Sequence, residues 1–205
     1  MTPSSAASPQ VAAEPGLLRP ALTLFVLLSL VTGLVYPLAV TGVAGLAFAD
    51  AASGSLVLRD GKPVGSRLIG QSFTDPGHFW GRPSATRPMA YNGASSGGAN
   101  LGPLNPALAD AVRARIAALR AADPGNRSAV PVDLVTASAS GLDPHISRAA
   151  AEFQINRVAR VRGLDPAQLR ALVDSQSEDA WLGWLGEARV NVLALNLALE
   201  AMGRR

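Results

Sequence analysis

The sequence predicts an α+β protein in which a single N-terminal transmembrane helix precedes one loop-rich extracytoplasmic α+β domain. The first observation is a run of 29 residues, 21–49, that holds no charged or histidine side chain. The second is a stretch rich in glycine and proline at 70–105. The third is a series of helix-start signals and short apolar runs after that stretch. The expected division is a disordered cytoplasmic tail at 1–16, a transmembrane anchor at 17–49 and an extracytoplasmic domain at 50–205.

The charge-free run is long enough to cross a bilayer. As a helix it would extend about 43 Å, against a hydrocarbon core of about 30 Å. Arg19 precedes the run, so the short tail is expected to stay in the cytoplasm and the rest of the chain to lie outside. Pro37 is expected to bend the helix. A signal peptide is the alternative, because Ala-Phe-Ala at 47–49 precedes Asp50, but cleavable apolar cores run only about 7–15 residues.

Composition excludes several classes of site. The chain has no cysteine, which rules out disulfides, cysteine nucleophiles and thiolate-bound metals. It has two histidines, His78 and His145, too few for a three-histidine zinc site. The net charge is +3, and no block of five like charges occurs, so a nucleic-acid partner is not expected.

The domain is expected to open with a β-hairpin. Residues 55–58, Ser-Leu-Val-Leu, form a β-like stretch, and Asp-Gly at 60–61 is a strong signal for a tight turn. A returning strand is expected at 64–69, limited to a sheet edge by Pro63. Residues 70–105 then form a long loop region, and ordered loops of this length usually carry function or binding.

Four helices and one further strand are expected after the loop region. Asn-Pro and Asp-Pro steps supply a helix N-cap and a proline in the first turn, and glycine favours a helix end. These signals predict helices at 106–122, 141–162 and 166–175. Apolar residues on more than one face predict a further helix at 187–202, and the apolar, β-branched run at 130–136 predicts a strand.

Catalytic motifs are weak in this chain. Residues 93–97 match the serine-hydrolase pattern G-x-S-x-G, which makes a membrane-anchored periplasmic serine hydrolase using Ser95 the alternative function. That motif needs an apolar strand before it and a helix after it, and neither is expected here. His145 is expected in the first turn of a helix, where the helix dipole disfavours its charged form. No catalytic, cofactor-binding or metal-ligating residue is assigned.

Five polar residues are candidates for contact with a partner protein. The amides of Asn92, Asn100 and Asn105 offer donors and acceptors within or at the end of the loop region. Gln154 and Arg157 are three residues apart on one expected helix, which also carries Arg160 and Arg162. These polar side chains are interpreted either as a solvated helix face or as part of a polar docking surface.

Longer stretches carry a resemblance to a known family. They are Leu18-Arg19-Pro20, the Gly-Leu-Val-Tyr-Pro at 33–37, the Asn-Leu-Gly-Pro at 100–103, the block Pro-Val-Asp-Leu-Val-Thr-Ala-Ser-Ala-Ser-Gly-Leu-Asp-Pro-His-Ile-Ser at 131–147, Gln154 with 157–159 and 162–163, and the closing segment 189–199. Over about residues 17–202 the chain resembles the KdpC family, the C subunits of Kdp potassium-transporting ATPases.

The resemblance implies a non-catalytic accessory subunit of a high-affinity, ATP-driven potassium uptake complex in the bacterial inner membrane. The implied partners are a potassium-carrying subunit and a P-type ATPase subunit, which would handle the potassium and the ATP, together with a small third peptide and the lipid bilayer. This chain lacks the phosphorylation motif D-K-T-G-T, in keeping with catalysis in a partner. The family's implied roles are assistance in assembly and a raised ATP affinity of the ATPase subunit. The expected outside position favours the external potassium entrance instead.

Overall fold

A computed structural model describes residues 16–203, which fall into two compact units divided between Ser53 and Gly54. The first unit is helical. Its continuous helical run Leu18–Ala47 is 30 residues long, with a mean hydropathy of 2.2 over its most apolar 18 residues and none of that window buried. It is the one candidate membrane span among the residues that the structure describes. Apart from Gly16, the tail expected at 1–16 lies outside the described residues. The run consists of α1 (Leu18–Leu30), a π-helical turn (Val31–Val35) and α2 (Tyr36–Ala47), and α3 (Ala49–Ala52) follows it.

The π-helical turn lies directly before Pro37. The backbone N–H of Tyr36 donates to the carbonyl of Val31, five residues back instead of the four of an α-helix. Proline has no N–H to donate and crowds the preceding turn. The expected disturbance by Pro37 therefore takes the form of one widened turn, and the helix continues beyond it to Ala47.

The second unit begins with the predicted hairpin. Strand β1 (Leu56–Arg59) pairs antiparallel with β2 (Lys62–Ser66), and Arg59 lies opposite Lys62. Asp60 and Gly61 both have positive φ, at 52° and 74°, as a two-residue type I′ turn requires. The hairpin is confirmed, although its second strand ends at Ser66 and not at Ile69.

A three-stranded antiparallel sheet was not predicted. Strand β5 (Arg189–Asn191) lies between β3 (His145–Ser147) and β4 (Ser177–Glu178). Ile146 pairs with Val190, and both side chains are buried. Four helices complete the unit: α4 (Pro106–Ala122), α5 (Arg148–Arg162), α6 (Pro166–Ser175) and α7 (Val192–Met202).

Two helices are shorter than the sequence predicted, because a strand takes their first residues. The helix expected at 141–162 begins at Arg148, after the side chain of Ser147 caps it by accepting from the N–H of Ala150 at 3.0 Å. The helix expected at 187–202 begins at Val192, capped in the same way by Asn191. Helices α4 and α6 are confirmed with their predicted bounds.

The strand predicted at 130–136 is wrong. Val132–Leu134 forms one turn of 3-10 helix, in which the N–H of Val135 donates to the carbonyl of Val132. Val132 is 70% exposed, whereas Leu134 and Val135 are buried. The β-branched residues of this run favour a strand when they are considered alone. The tertiary packing, which buries only some of them, outweighs that intrinsic preference.

The core lies where α5, α6 and α7 meet the three-stranded sheet. α6 contacts both α5 and α7, and β5 contacts α5 and α7. Phe79 from the loop region completes this core with no exposed surface. Other fully or nearly fully buried members are Ile146, Ile155, Val158, Leu169, Val173, Val190, Leu195 and Leu199.

Candidate functional site

The loop region at 70–105 is ordered by side-chain amides from two helices. On α5, Gln154 accepts from the N–H of Trp80 at 2.8 Å and donates to its carbonyl at 3.1 Å. On α7, Asn196 does the same for Phe79, at 2.8 Å and 2.9 Å. Both amides are at most 2% exposed. They satisfy main-chain groups that would otherwise be buried without partners.

Arg157 fixes the same part of the loop. It is 2% exposed and donates to the carbonyls of Pro76 and His78 and to Oε1 of Gln154. Its guanidinium lies 4.5 Å from the centre of the Trp80 ring, in a cation–π contact. Burial lowers the pKa of Arg157 to about 10, although the charge of Asp123 opposes the shift.

The solvated-face interpretation of Gln154 and Arg157 is therefore wrong. Charged and amide side chains are rarely buried unless they are paired, and the main-chain groups of the loop that pair with these two lie more than 70 residues away in sequence. A partner could reach either side chain only by displacing the loop. Contact of Gln154 and Arg157 with a partner stays a prediction, and the burial of both side chains does not support it.

The three candidate asparagines serve different local structures. The amide of Asn92 donates to the carbonyl of Arg87 at 3.0 Å and accepts from the N–H of Ala94 at 3.1 Å, which shapes the loop. Asn105 caps α4 by accepting from the N–H of Ala107. Asn100 is exposed, with a φ of 51°. Their contacts with a partner remain a prediction.

Ser95 lies in an exposed turn closed by its N–H donating to the carbonyl of Asn92. Between residues 82 and 104 there is neither strand nor helix, so the flanks that a nucleophile elbow needs are missing. The described ring contacts of His78 and His145 go to other side chains. Nothing in residues 16–203 supports the serine hydrolase alternative.

A large groove on the domain has a volume of about 760 Å³, and both apolar and charged residues line it. Asp133, which is 8% exposed, accepts from the N–H and hydroxyl of Ser147 at 2.7 Å and 3.2 Å. Asp143 lies 3.4 Å from Nη1 of Arg82. Glu187, Ala188 and Arg189 form part of the wall. Within the described residues, no group of three histidine or carboxylate side chains is placed to bind a metal ion.

His145 lies in strand β3 and not in the first turn of a helix, so the expected effect of a helix dipole on it is wrong. Its N–H and its ring nitrogen Nδ1 lie 3.0 Å and 3.2 Å from Oδ1 of Asp143. Partial burial pushes the pKa of Asp143 upward. The hydrogen bonds from His145, with the charges of His145 and Arg82, outweigh burial and leave that pKa below its ordinary value.

Sequence reasoning missed a charged cluster that joins the hairpin, the loop region, α5 and α7. Arg59 and Nε2 of His78 both contact the carboxylate of Glu200, the latter at 3.2 Å. Nη2 of Arg162 lies 2.9 Å from the same ring nitrogen. The hydrogen bond from Arg59 is the largest cause of a lowered pKa at Glu200. No local pattern could have revealed the cluster, because its members are far apart in sequence.

Comparison with known proteins identifies the family. The family model described as "KdpC: K+-transporting ATPase, c chain" matches residues 18–201. A protein of Polaromonas naphthalenivorans (strain CJ2) is 72% identical over 186 residues, which cover 91% of this chain and 95% of that protein. One of Variovorax paradoxus (strain S110) is 70% identical over 184 residues, which cover 90% and 95%. Both are named "Potassium-transporting ATPase KdpC subunit". With a match that spans the helical run and nearly all of the domain, the chain belongs to the KdpC family.

Proposed function

We propose that this chain is an accessory subunit of an ATP-driven potassium uptake complex and performs no catalysis itself. The observation that carries the proposal is the family match over residues 18–201, which includes the apolar helix as well as the domain. Relatives that are named as subunits of a potassium-transporting ATPase are 58–72% identical to this chain over most of its length.

Catalysis and transport belong, in this proposal, to other subunits of the complex. A P-type ATPase subunit would bind and hydrolyse ATP, and a potassium-carrying subunit would pass the ion. The absence of D-K-T-G-T and of G-x-x-x-x-G-K-[ST] from the sequence supports this division. So does the position of Ser95 in a turn that lacks the flanking strand and helix of a hydrolase.

The apolar helix anchors the chain in the bacterial inner membrane, with the N-terminus in the cytoplasm and the domain outside. Support comes from the 30-residue apolar run and from Arg19 at its N-terminal end. A reporter enzyme that works only outside the cytoplasm should be active when it is fused after Arg205. A reporter that works only inside the cytoplasm should be inactive at the same position. N-terminal sequencing of the membrane-extracted chain should show no start at Asp50, and a chain that starts there would contradict the anchor.

The domain assists assembly and acts at the external entrance for potassium. On the proposed topology it is separated by the bilayer from cytoplasmic ATP, which weighs against direct contact with the nucleotide. Measuring the KM for ATP of the purified complex, with and without this chain, separates the two roles. A complex that assembles without the chain and changes only in that KM would favour the role in ATP affinity.

The deciding experiment is complementation. A strain that keeps the other subunits but lacks this chain should fail to grow at low potassium, and the wild-type chain should restore growth. The Ser95→Ala variant should restore growth equally, because Ser95 has no catalytic task in this proposal. Growth without the chain would refute the proposal, as would loss of uptake by Ser95→Ala in a fully assembled complex.

A further inference from the structure

An exposed apolar loop protrudes from the domain between β4 and β5. We call residues 181–186 the tryptophan loop. The exposed fractions of Trp181, Leu182, Trp184 and Leu185 are 67%, 66%, 74% and 48%. Single exposed apolar residues are normal, but four among five consecutive positions form a patch of the kind that marks an interaction site.

The tryptophan loop has a defined backbone. The N–H of Trp181 donates to the carbonyl of Leu185, and the N–H of Leu185 donates back to Trp181, each at 2.9 Å. Leu182 and Gly183 have positive φ, at 55° and 78°. A leucine rarely adopts this conformation, so its strain is held here by the two hydrogen bonds. A loop shaped before binding loses less conformational entropy when it meets a partner.

The charges beside the tryptophan loop are mainly acidic. Glu178 and Asp179 precede it and Glu187 follows it, while Arg189, the one cation in the sequence 178–189, is paired with Glu178 at 2.9 Å. Three carboxylates against one guanidinium leave a local charge of −2. Bacterial membrane surfaces that carry anionic lipids attract basic segments, so this acidic collar disfavours lipid as the occupant.

The tryptophan loop leads directly into the large groove. Glu187, Ala188 and Arg189 follow the loop in sequence and form one wall of that groove. The groove is also lined by the charged residues Arg82, Asp133 and Asp143. An apolar protrusion beside charged side chains has the composition of a protein interface, with an apolar centre and a polar rim. Tryptophan is also among the residues that contribute most to such interfaces.

We infer that the tryptophan loop docks this chain onto another protein subunit of the complex. Trp181 and Trp184 enter an apolar pocket on that subunit, and lysine or arginine at the rim of the pocket faces Asp179 and Glu187. The inference rests on the proposed function, which supplies the partner subunits. The docking site differs from the expected surface around Asn92 and Asn105.

The test is recovery of this chain with the tagged complex from detergent-solubilised membranes. One variant carries Trp181→Ser with Trp184→Ser, and a second carries Asp179→Lys with Glu187→Lys. The control carries Leu58→Ser with Leu68→Ser, two apolar positions that are each 62% exposed and lie outside the loop region at 70–105. Recovery of each loop variant should fall by roughly ten-fold or more, and the control should match the wild type.

The outcomes separate the two proposals. If the wild-type chain does not co-purify with the complex, the proposed function fails. If the wild type co-purifies and both loop variants do so equally well, only the docking inference is overturned. The circular dichroism of each purified full-length variant should match the wild type. Should the tryptophan variant misfold, the charge-reversal variant decides alone.

Insertion of the loop into lipid is a further outcome that would overturn the inference. The full-length chain is reconstituted without partners in vesicles of phosphatidylglycerol and phosphatidylcholine with brominated acyl chains, which quench tryptophan fluorescence on contact. The comparison variant carries Trp181→Phe with Trp184→Phe. The difference in emission between the wild type and this variant gives the signal of the two loop tryptophans. That signal should be equally bright in brominated and unbrominated vesicles. Selective quenching of that emission would assign the loop to the bilayer.

Discussion

The side-chain amide of Asn196 bonds to both main-chain groups of Phe79, with Oδ1 2.8 Å from its nitrogen and Nδ2 2.9 Å from its oxygen. An adjacent strand would normally supply these two bonds, but here one side chain of α7 supplies both. Gln154 on α5 makes the same two hydrogen bonds with the main chain of Trp80. An irregular segment can thus enter the core without leaving its backbone unsatisfied.

Replacing Asn196 with leucine should destabilise the domain by about 2–3 kcal/mol, because the buried N–H and carbonyl of Phe79 lose their partners. The matched control is Asn156→Leu, at an exposed position of α5, which should change the free energy of unfolding by about 0.5 kcal/mol or less. Urea unfolding of the full chain in detergent, followed by circular dichroism, gives both values. Equal effects at the two positions would contradict the proposed bonding.

Replacing Arg157 with methionine should cost about 3 kcal/mol or more, since it strands the carbonyls of Pro76 and His78 and removes the cation from the Trp80 ring. Arg157→Glu should prevent folding, because it would place a carboxylate against the carbonyl oxygens of Pro76 and His78, which can only accept hydrogen bonds. Arg113→Glu is the control, since Arg113 is 75% exposed and its ion pair with Asp110 contributes little. Comparable stability of the Arg157 and Arg113 variants would refute the burial argument.

Stability should fall as the pH drops below the ordinary carboxyl range. The pKa values of Glu200 and Asp143 are lower in the folded chain than their ordinary values of 4.5 and 3.8. Below those ordinary values the unfolded chain binds more protons than the folded chain, so acid favours unfolding. The stabilisation is complete above about pH 5 and is lost as the pH falls through the lowered pKa values.

Glu200→Gln should flatten this acid dependence and lower the stability at neutral pH. Arg59→Met should flatten it in a similar way, because the hydrogen bond from Arg59 is the largest cause of the lowered pKa at Glu200. Thermal unfolding of the full chain at a series of pH values from 3 to 7 measures the slope. An unchanged slope in both variants would show that the Arg59–Glu200 contact is not made in solution.

Gly141→Ala should destabilise the domain more than Gly163→Ala does. Both glycines have positive φ, at 67° and 65°, so each substitution should cost about 1 kcal/mol in backbone conformation. A Cβ at 141 would also lie 2.6 Å from the carbonyl oxygen of Gly97 and 2.7 Å from Thr86, whereas one at 163 would meet nothing within 4 Å. The difference in unfolding free energy between the two variants isolates this crowding, and a difference of zero would contradict it.

Local chemistry made much of the fold predictable. Asn105 before Pro106 marked the start of α4, Asp60 with Gly61 marked the hairpin turn, and Gly163 marked the end of α5. Each of these signals acts within a few residues of the structure that it specifies. The length and apolar character of the first helix are likewise properties of one continuous segment.

Features that depend on distant partners escaped prediction. Strands β3 and β5 have three residues each, too few for an alternating pattern to be recognised. Gln154 and Arg157 belong to polar residue types that usually lie on the surface, and only the position of the loop around Trp80 explains their burial. The same limit concealed the contacts of Glu200 with Arg59 and His78.

The order of strands in the three-stranded sheet has a consequence during synthesis of the protein. The central strand, β5, is the last of the three to be made, and both β3 and β4 bond only to it. As the chain leaves the ribosome from its N-terminus, neither earlier strand has its sheet partner until Asn191 has been added. Native pairing of β3 and β4 therefore waits until β5 has been made, and a chain truncated before Arg189 should remain a substrate for chaperones and proteases.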